Sequence, residues 1–221
     1  MSETVEKVLE EEKHYDSYFI DIFRAWTTCR DMLLDRGYTL SEQFMEVDNN
    51  EFYALYQNLE SPVDGFNSYD ILGTKSNGTK KIIVKFTLDK ESVSRQDIVA
   101  IRSNVSEKHG EDTSVMYILK NKPNTFVYKE VNGLTTIDEI FLYTEVIFNR
   151  MKHRLVPKHV LLTEAEKKDL LLTYDCKDTQ IPRMVTTDFV CRYYGAKPGD
   201  MFKIYRPSPS SGIYITYRVV K

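Results

Sequence analysis

Val115-Met116-Tyr117-Ile118-Leu119 runs for five residues without a polar interruption. A short apolar run of this kind reads as a strand buried on both faces. Such a strand needs a neighbour on each side and a helix above and below. Lys81 to Phe86 supplies one neighbour, being rich in β-branched and aromatic residues. Between the two, Ser94 to Lys108 reads as a helix with Ile98, Ile101 and Val105 on one side and Gly110 ending it. This rhythm predicts a small α/β domain with a right-handed crossover. Pro123 suits the first turn of the next helix, which runs towards Gly133. The apolar stretch Ile137 to Phe148 fits a strand, a helix, or one of each.

Upstream, residues 2–36 read as helix, with a break near Asp16-Ser17. Phe19, Ile20, Phe23, Trp26, Thr27, Met32 and Leu33 or Leu34 recur at helical spacing and mark one buried face. Gly37 is the expected left-handed stop. Glu51 to Leu59 is a second, shorter helix, and Ser61 to Asn77 a loop around a strand near Tyr69–Leu72. No glycine-rich phosphate loop joins a strand to a helix, so nucleotide binding lacks its usual support.

Beyond a boundary at 148/149 the pattern becomes α+β. Val160-Leu161-Leu162 reads as a strand. Thr163 and Glu166 have capping-box spacing, and Ala165, Leu170, Leu171 and Tyr174 are placed to cover the inner face of the helix they open. Thr187 or Thr186 is the expected cap of a helix over Asp188–Tyr194, which Gly195 stops. Pro198-Gly199 fits a turn that needs a positive φ at its second central residue. Two alternating strands follow. The first sets Phe202 and Ile204 together; the second sets Ile213, Ile215, Tyr217 and Val219 together, pointing inward.

Charge divides along the same boundary. Residues 151–221 carry 13 Lys and Arg against 7 Asp and Glu, a net of +6, whereas residues 1–150 carry 17 against 26, a net of -9. Different partners for the two ends are expected. The three cysteines, Cys29, Cys176 and Cys191, are far apart and form no Cys-x-x-Cys, which argues against a disulfide framework or a zinc site. No run is long and apolar enough to span a bilayer, and Met1 to Lys13 is acidic, unlike a secretory leader.

The ordered pieces of the C-terminal third carry a resemblance. They are His153-Arg154-Leu155-Val156-Pro157-Lys158-His159, Pro182-Arg183, Asp188, Val190, Arg192-Tyr193-Tyr194-Gly195, Lys197, Gly199, Arg206, Ser208, Gly212, Tyr214 and Tyr217-Arg218. This region resembles the small common subunit shared by eukaryotic nuclear RNA polymerases I, II and III, and its archaeal counterpart. Phe189, Cys191 and Ile213 depart from the family pattern. Asp35-Arg36-Gly37-Tyr38 after a long helix resembles the eukaryotic form, which has an added N-terminal domain, and allows a cellular or a large-DNA-virus version. The resemblance implies an α/β jaw domain over 1–148, near downstream DNA, and a small α+β assembly domain with a mixed sheet over 149–221, held by the largest polymerase subunit. It implies a nuclear location, or a virion or infected-cell cytoplasm for a viral version. Other polymerase subunits and transcription factors are further expected partners; a membrane is not.

For the assembly domain, Lys158, His159, Arg183, Arg192, Tyr193, Tyr194, Arg206, Tyr217 and Arg218 are the expected partner contacts, arginine forks meeting acceptors and tyrosines supplying area. Lys120, Lys122, Pro123 and Asn124 occupy the stretch corresponding to the family's DNA-proximal loop, where lysines and a helix N-terminus suit phosphate oxygens. An acidic jaw makes that contact peripheral and dependent on the assembled enzyme. No cofactor, metal or catalytic set is expected. His153 and His159 lack a third and fourth ligand at useful spacing. Two alternatives stand beside the subunit reading. One is a nuclease-like hydrolase around Asp70, Asp89 and Lys85, and the other a free-standing DNA-binding regulator with steep salt dependence.

Overall fold

A computed structural model describes residues 17–57, 69–75, 80–134, 136–210 and 212–221, the backbone alone at 55–57. The acidic extension, the break near Asp16 and most of the expected 61–77 loop lie outside the described residues. The chain divides into two compact units: residues 1–30 with 40–148, and residues 31–39 with 149–221.

The first unit takes α1 (Ser17–Asp35) as far as Arg30; β1 (Tyr38–Leu40) reaches it only at Leu40, and α2 (Asn49–Gln57) then precedes an alternating series. This series is β2 (Ile71–Lys75), β3 (Lys81–Thr87), α3 (Arg95–His109), β4 (Ser114–Leu119), α4 (Thr125–Asn132), β5 (Glu139–Leu142) and α5 (Tyr143–Val146). The sheet order is β1-β2-β3-β4-β5. β3, β4 and β5 are parallel, and β2 runs antiparallel to β3. The apolar run behaves as expected: all five residues from Val115 to Leu119 are fully buried. The ambiguous stretch before Phe148 resolves as one strand and one helical turn.

Local signals explain the helix ends. Ser94 and Asp97 form a reciprocal capping box at the start of α3, and Gly110 leaves it at φ 95°. Asn124 caps α4 by accepting from the Val127 N–H, so Pro123 sits before the cap rather than in the first turn. In α1, Phe19, Trp26, Met32 and Leu33 are buried as expected, but Ile20 is exposed, and Ile22, Ala25 and Cys29 complete the inner face. Trp26 donates to the Tyr69 carbonyl at 2.9 Å, within an aromatic cluster that includes Phe44 and Phe52.

The second unit contains β6 (Lys158–Leu161), α6 (Glu164–Thr173), β7 (Arg183–Met184), α7 (Phe189–Tyr194), β8 (Met201–Ser208) and β9 (Gly212–Val220). Its sheet is mixed, in the order β6-β8-β9-β7. β8 is antiparallel to both neighbours, and β7 is parallel to β9. Cores form on both faces. Phe202, Ile204 and Val220 pack with Val190 and Cys191, while Met201 and Val219 pack with Leu170.

Three expectations for this unit are corrected. The cap of α7 is Asp188, whose carboxylate accepts from the Val190 N–H at 2.9 Å; Thr186 and Thr187 lie one or two residues too early. On α6, Ala165 and Tyr174 are exposed and only Leu170 is buried, because Met201 and Val219 offer cover for about one turn. β9 is not uniformly inward-facing. Val219 is fully buried, whereas Ile213 and Ile215 are 65% and 40% exposed, because β9 runs past the helix that covers its other end.

Candidate functional site

The motif residues of the second unit converge on α7. The helix is short, so its carbonyl ends need partners from outside it. Gly195 takes φ 63° and lets the chain turn back, with the Ala196 N–H reaching the Cys191 carbonyl at 2.9 Å. Arg36 adds two charged donors: Nε donates to the Tyr193 carbonyl at 2.8 Å, and Nη2 donates at 2.6 Å to the Arg192 carbonyl, which also accepts from the Gly195 N–H at 3.1 Å. A guanidinium fork at a helix C-terminus satisfies two carbonyls and opposes the negative end of the dipole. Beside it, the Tyr193 hydroxyl donates to Asp35 Oδ2 at 2.7 Å, and burial pushes the phenol's pKa up. Asp31 accepts from Lys152 Nζ at 2.6 Å and from Asn149 Nδ2 at 3.3 Å. The Asp35-Arg36 pair, noted in the sequence only as part of a motif, therefore clamps Arg192-Tyr193. The readable signal was a charged pair just ahead of a helix-stopping glycine.

Some expected contact residues are internal. Tyr193 is fully buried and His159 nearly so. His159 Nδ1 lies 2.7 Å from the Pro157 carbonyl, a donor position, and its ring meets Phe202 edge-on. Burial holds its pKa below the usual imidazole value; the Pro157 contact and Asp188 oppose that shift, while Arg206 and Arg218 add to it. The Tyr194 hydroxyl donates to the His159 carbonyl at 3.2 Å, tying α7 to β6. Burial also raises the Cys191 thiol to about 11, which keeps it protonated.

Other expected contact residues reach the surface. Lys158, Arg183 and Arg206 are exposed, and Arg192, Tyr217 and Arg218 are half-buried. The ladder pairs Arg206 with Tyr214 and Phe202 with Arg218, which sets both arginines on one sheet face. The opposite face carries Tyr205, Ile215 and Tyr217, with Lys203 Nζ 5.3 Å from the Tyr205 ring centre. Tyr174, the C-cap of α6, meets Tyr217 in a T-shaped contact at 6.0 Å. Leu172, Tyr174, Val185 and Tyr214 are also exposed, and sequence reasoning missed this apolar surface because it read alternation as burial.

In the first unit, Lys122 and Asn124 are exposed, Lys120 is half-buried and Pro123 is buried. Lys120 Nζ lies 3.7 Å from Glu91, and Asn121 donates to the Glu91 carbonyl at 2.9 Å, which fixes the loop ahead of α4. Asp70 and Lys85 do meet, but as a buried pair with Nζ–Oδ2 at 2.6 Å, while the Phe86 N–H donates to the other carboxylate oxygen at 3.1 Å. Lys85 and Asp89 border a cavity of about 230 Å³ beside α3. A carboxylate held by an ammonium and a backbone N–H inside a sheet is built as a strut, not as a metal ligand facing substrate. Among the described residues, no group of three or more His, Cys, Asp or Glu is placed to hold a metal ion.

Comparison with known proteins identifies the architecture. Residues 18–105 match the family described as RNA polymerase Rpb5, N-terminal domain, and residues 148–220 match RNA polymerase Rpb5, C-terminal domain. DNA-directed RNA polymerase subunit 5-like protein 1 of Arabidopsis thaliana is 31% identical over 208 residues, covering 92% of this chain and 97% of that protein. The Caenorhabditis elegans protein named DNA-directed RNA polymerases I, II, and III subunit RPABC1 is 28% identical over 207 residues, covering 91% and 97%. A Dictyostelium discoideum relative, named as subunit rpabc1 of the same three polymerases, reaches 51% identity over 81 residues, covering 37% of this chain and 41% of its own. Neither the nuclease-like nor the free-standing regulator reading has support in these matches. The paired domains and the full-length similarity show that the chain belongs to the Rpb5 family of non-catalytic DNA-directed RNA polymerase subunits.

Proposed function

We propose that residues 149–221 are the assembly domain, gripped by the largest polymerase subunit, and that residues 1–148 form a jaw beside downstream duplex DNA. The supporting observation is the surface of the basic unit, where Lys158, Arg183, Arg206 and Arg218 reach solvent beside exposed tyrosine and isoleucine. Guanidinium groups next to aromatic area suit a protein interface. Arg192, Tyr194 and Tyr217 are half-buried and offer smaller contact area. In the jaw, Lys120 and Lys122 precede the capped start of α4 and meet phosphate oxygens without reading bases. A net charge of -9 over residues 1–150 makes this contact an auxiliary one. A nuclear location belongs to the same reading.

Purification of the tagged full-length chain from its native cell tests the proposal. The expected result is co-purification of the largest polymerase subunit, reduced by the double charge reversal Arg206→Glu and Arg218→Glu in a chain that still melts normally. Recovery of no polymerase subunit with the wild-type chain would remove the reading. The isolated chain is expected to bind duplex DNA weakly, and tight binding with a steep salt slope would instead favour an independent DNA-binding role.

A further inference from the structure

Among the described residues, the outer edge of β9 is open along half its length. Val219 donates outward to the Pro182 carbonyl at 3.0 Å, and Lys221 to the Met184 carbonyl at 2.8 Å. Val220 donates the other way, to the Asp200 carbonyl at 2.8 Å. Backbone groups alternate sides along a strand, so even-numbered residues of β9 face β8 and odd-numbered ones face outward. Ile213, Ile215 and Tyr217 therefore direct their N–H and C=O groups to the outer edge. β7 covers only the far end, because it is paired at Arg183 and Met184 and the chain before Pro182 turns into a short 3-10 helix at Asp178–Gln180. Among the described residues, no strand lies beside Ile213–Tyr217.

The same hairpin treats its other edge differently. β8 is paired with β6 up to Tyr205, and beyond that Pro207 removes the outward-facing donor. The β9 edge has no proline from Gly212 to Tyr217, and no charged residue there. An edge with β-branched and aromatic residues, left without the usual protections, is competent to accept another strand. Its two faces specify what kind. On one face the new strand would lie against Ile213, Ile215 and Tyr217, which calls for apolar side chains. On the other it would run beside Tyr214, Thr216 and Arg218, with Arg206 in the next strand, which calls for carboxylates.

We propose that the β9 edge, from Ile213 to Tyr217, takes up an extended segment of a neighbouring polymerase subunit as a fifth strand, its side chains alternating between apolar and acidic. The proposal rests on the assembly role above and assigns it a specific backbone contact. Five residues of strand span about 17 Å, enough for the outward groups of three residues to pair.

Ile215→Pro isolates the backbone term, because it deletes an outward N–H and spares the bonds to β8. Ile215→Val keeps both donor and shape. With the full-length chain expressed in its native cell, Ile215→Val is expected to co-purify with polymerase as the wild type does, and Ile215→Pro at least about ten-fold less. In the purified complex, the amides of Ile213, Ile215 and Tyr217 are expected to exchange at least about a hundred-fold more slowly than in the free chain. Equal recovery of Ile215→Pro together with unchanged exchange overturns the edge contact and leaves the subunit reading standing. Failure of the wild type to recover polymerase overturns the subunit reading itself. Protection of the free chain that grows with its concentration assigns the edge to a second copy and also overturns the proposal. Should Ile215→Pro fail to fold, amide exchange of the wild-type complex decides.

Discussion

Arg36 and His159 both act on α7 and its neighbours, one through charge and the other through neutrality. The Arg36 guanidinium supplies two charge-assisted hydrogen bonds at the helix end, one to the Tyr193 carbonyl and one to the Arg192 carbonyl that Gly195 also caps. Arg36→Ala removes both charged bonds and leaves the Arg192 carbonyl its bond from the Gly195 N–H, and a loss of about 1.5–3 kcal/mol is expected from chemical denaturation of the second unit. Arg36→Lys should recover part of this, since an ammonium keeps the charge but not the fork. His159 is held neutral by burial, and its protonation is disfavoured in the folded chain. Its unfolded pKa is about 6.5 and its folded pKa is lower, so the unfolded chain binds more protons as pH falls. The stabilisation is therefore complete above about pH 6.5 and drains away as pH falls through the folded value. Melting measured from pH 7.5 to 5 should show a steeper loss for the wild type than for His159→Gln, and parallel curves would remove this role.

Elements show where the sequence was legible. The run Val115–Leu119 left no choice of environment, and the structure buries all of it. The capping box at Thr163 and Glu166 was equally readable, since it needs only two residues three apart; Thr163→Ala is expected to cost about 1 kcal/mol, measured by denaturant titration. β9 was half legible. Alternation correctly grouped Ile213, Ile215, Tyr217 and Val219 on one side, but alternation reports a shared face and not what covers it. Cover depends on where α6 ends and how far β9 runs past it, which are tertiary facts. Two substitutions separate these cases. Val219→Asp puts a carboxylate into a closed core and should unfold the second unit, whereas Ile215→Asp, on a partly exposed face, should leave the melting curve nearly unchanged. Asp70 and Lys85 were legible as residues but not as a pair, because only the β2–β3 register brings them together.

At the scale of the whole molecule, α1 is one continuous helix whose residues belong to two compact units, up to Arg30 in the first and from Asp31 onward in the second. A boundary drawn from composition falls at 148/149, because charge and period both change there. What composition does not carry is the return of Asp31, Asp35 and Arg36 to the later residues Lys152, Tyr193 and Arg192, through contacts separated by more than a hundred positions. These contacts make the last turn of α1 part of the second unit's stability, and a helix broken there loses its C-terminal end. Replacing Asp35 and Arg36 together by alanine should therefore do two things in region-resolved hydrogen exchange. Amides of α7 should lose protection, because the carbonyl clamp and the Tyr193 partner are gone. Amides of the last turn of α1 should lose protection with them, while β4, whose core of Val115, Tyr117 and Leu119 lies wholly in the first unit, keeps its slow exchange. Equal loss in β4 would mean that the chain unfolds as one cooperative block and that the helix transmits more than its own fraying. Unchanged α7 protection would mean that the clamp contributes little beyond the capping already supplied by Asp188 and Gly195.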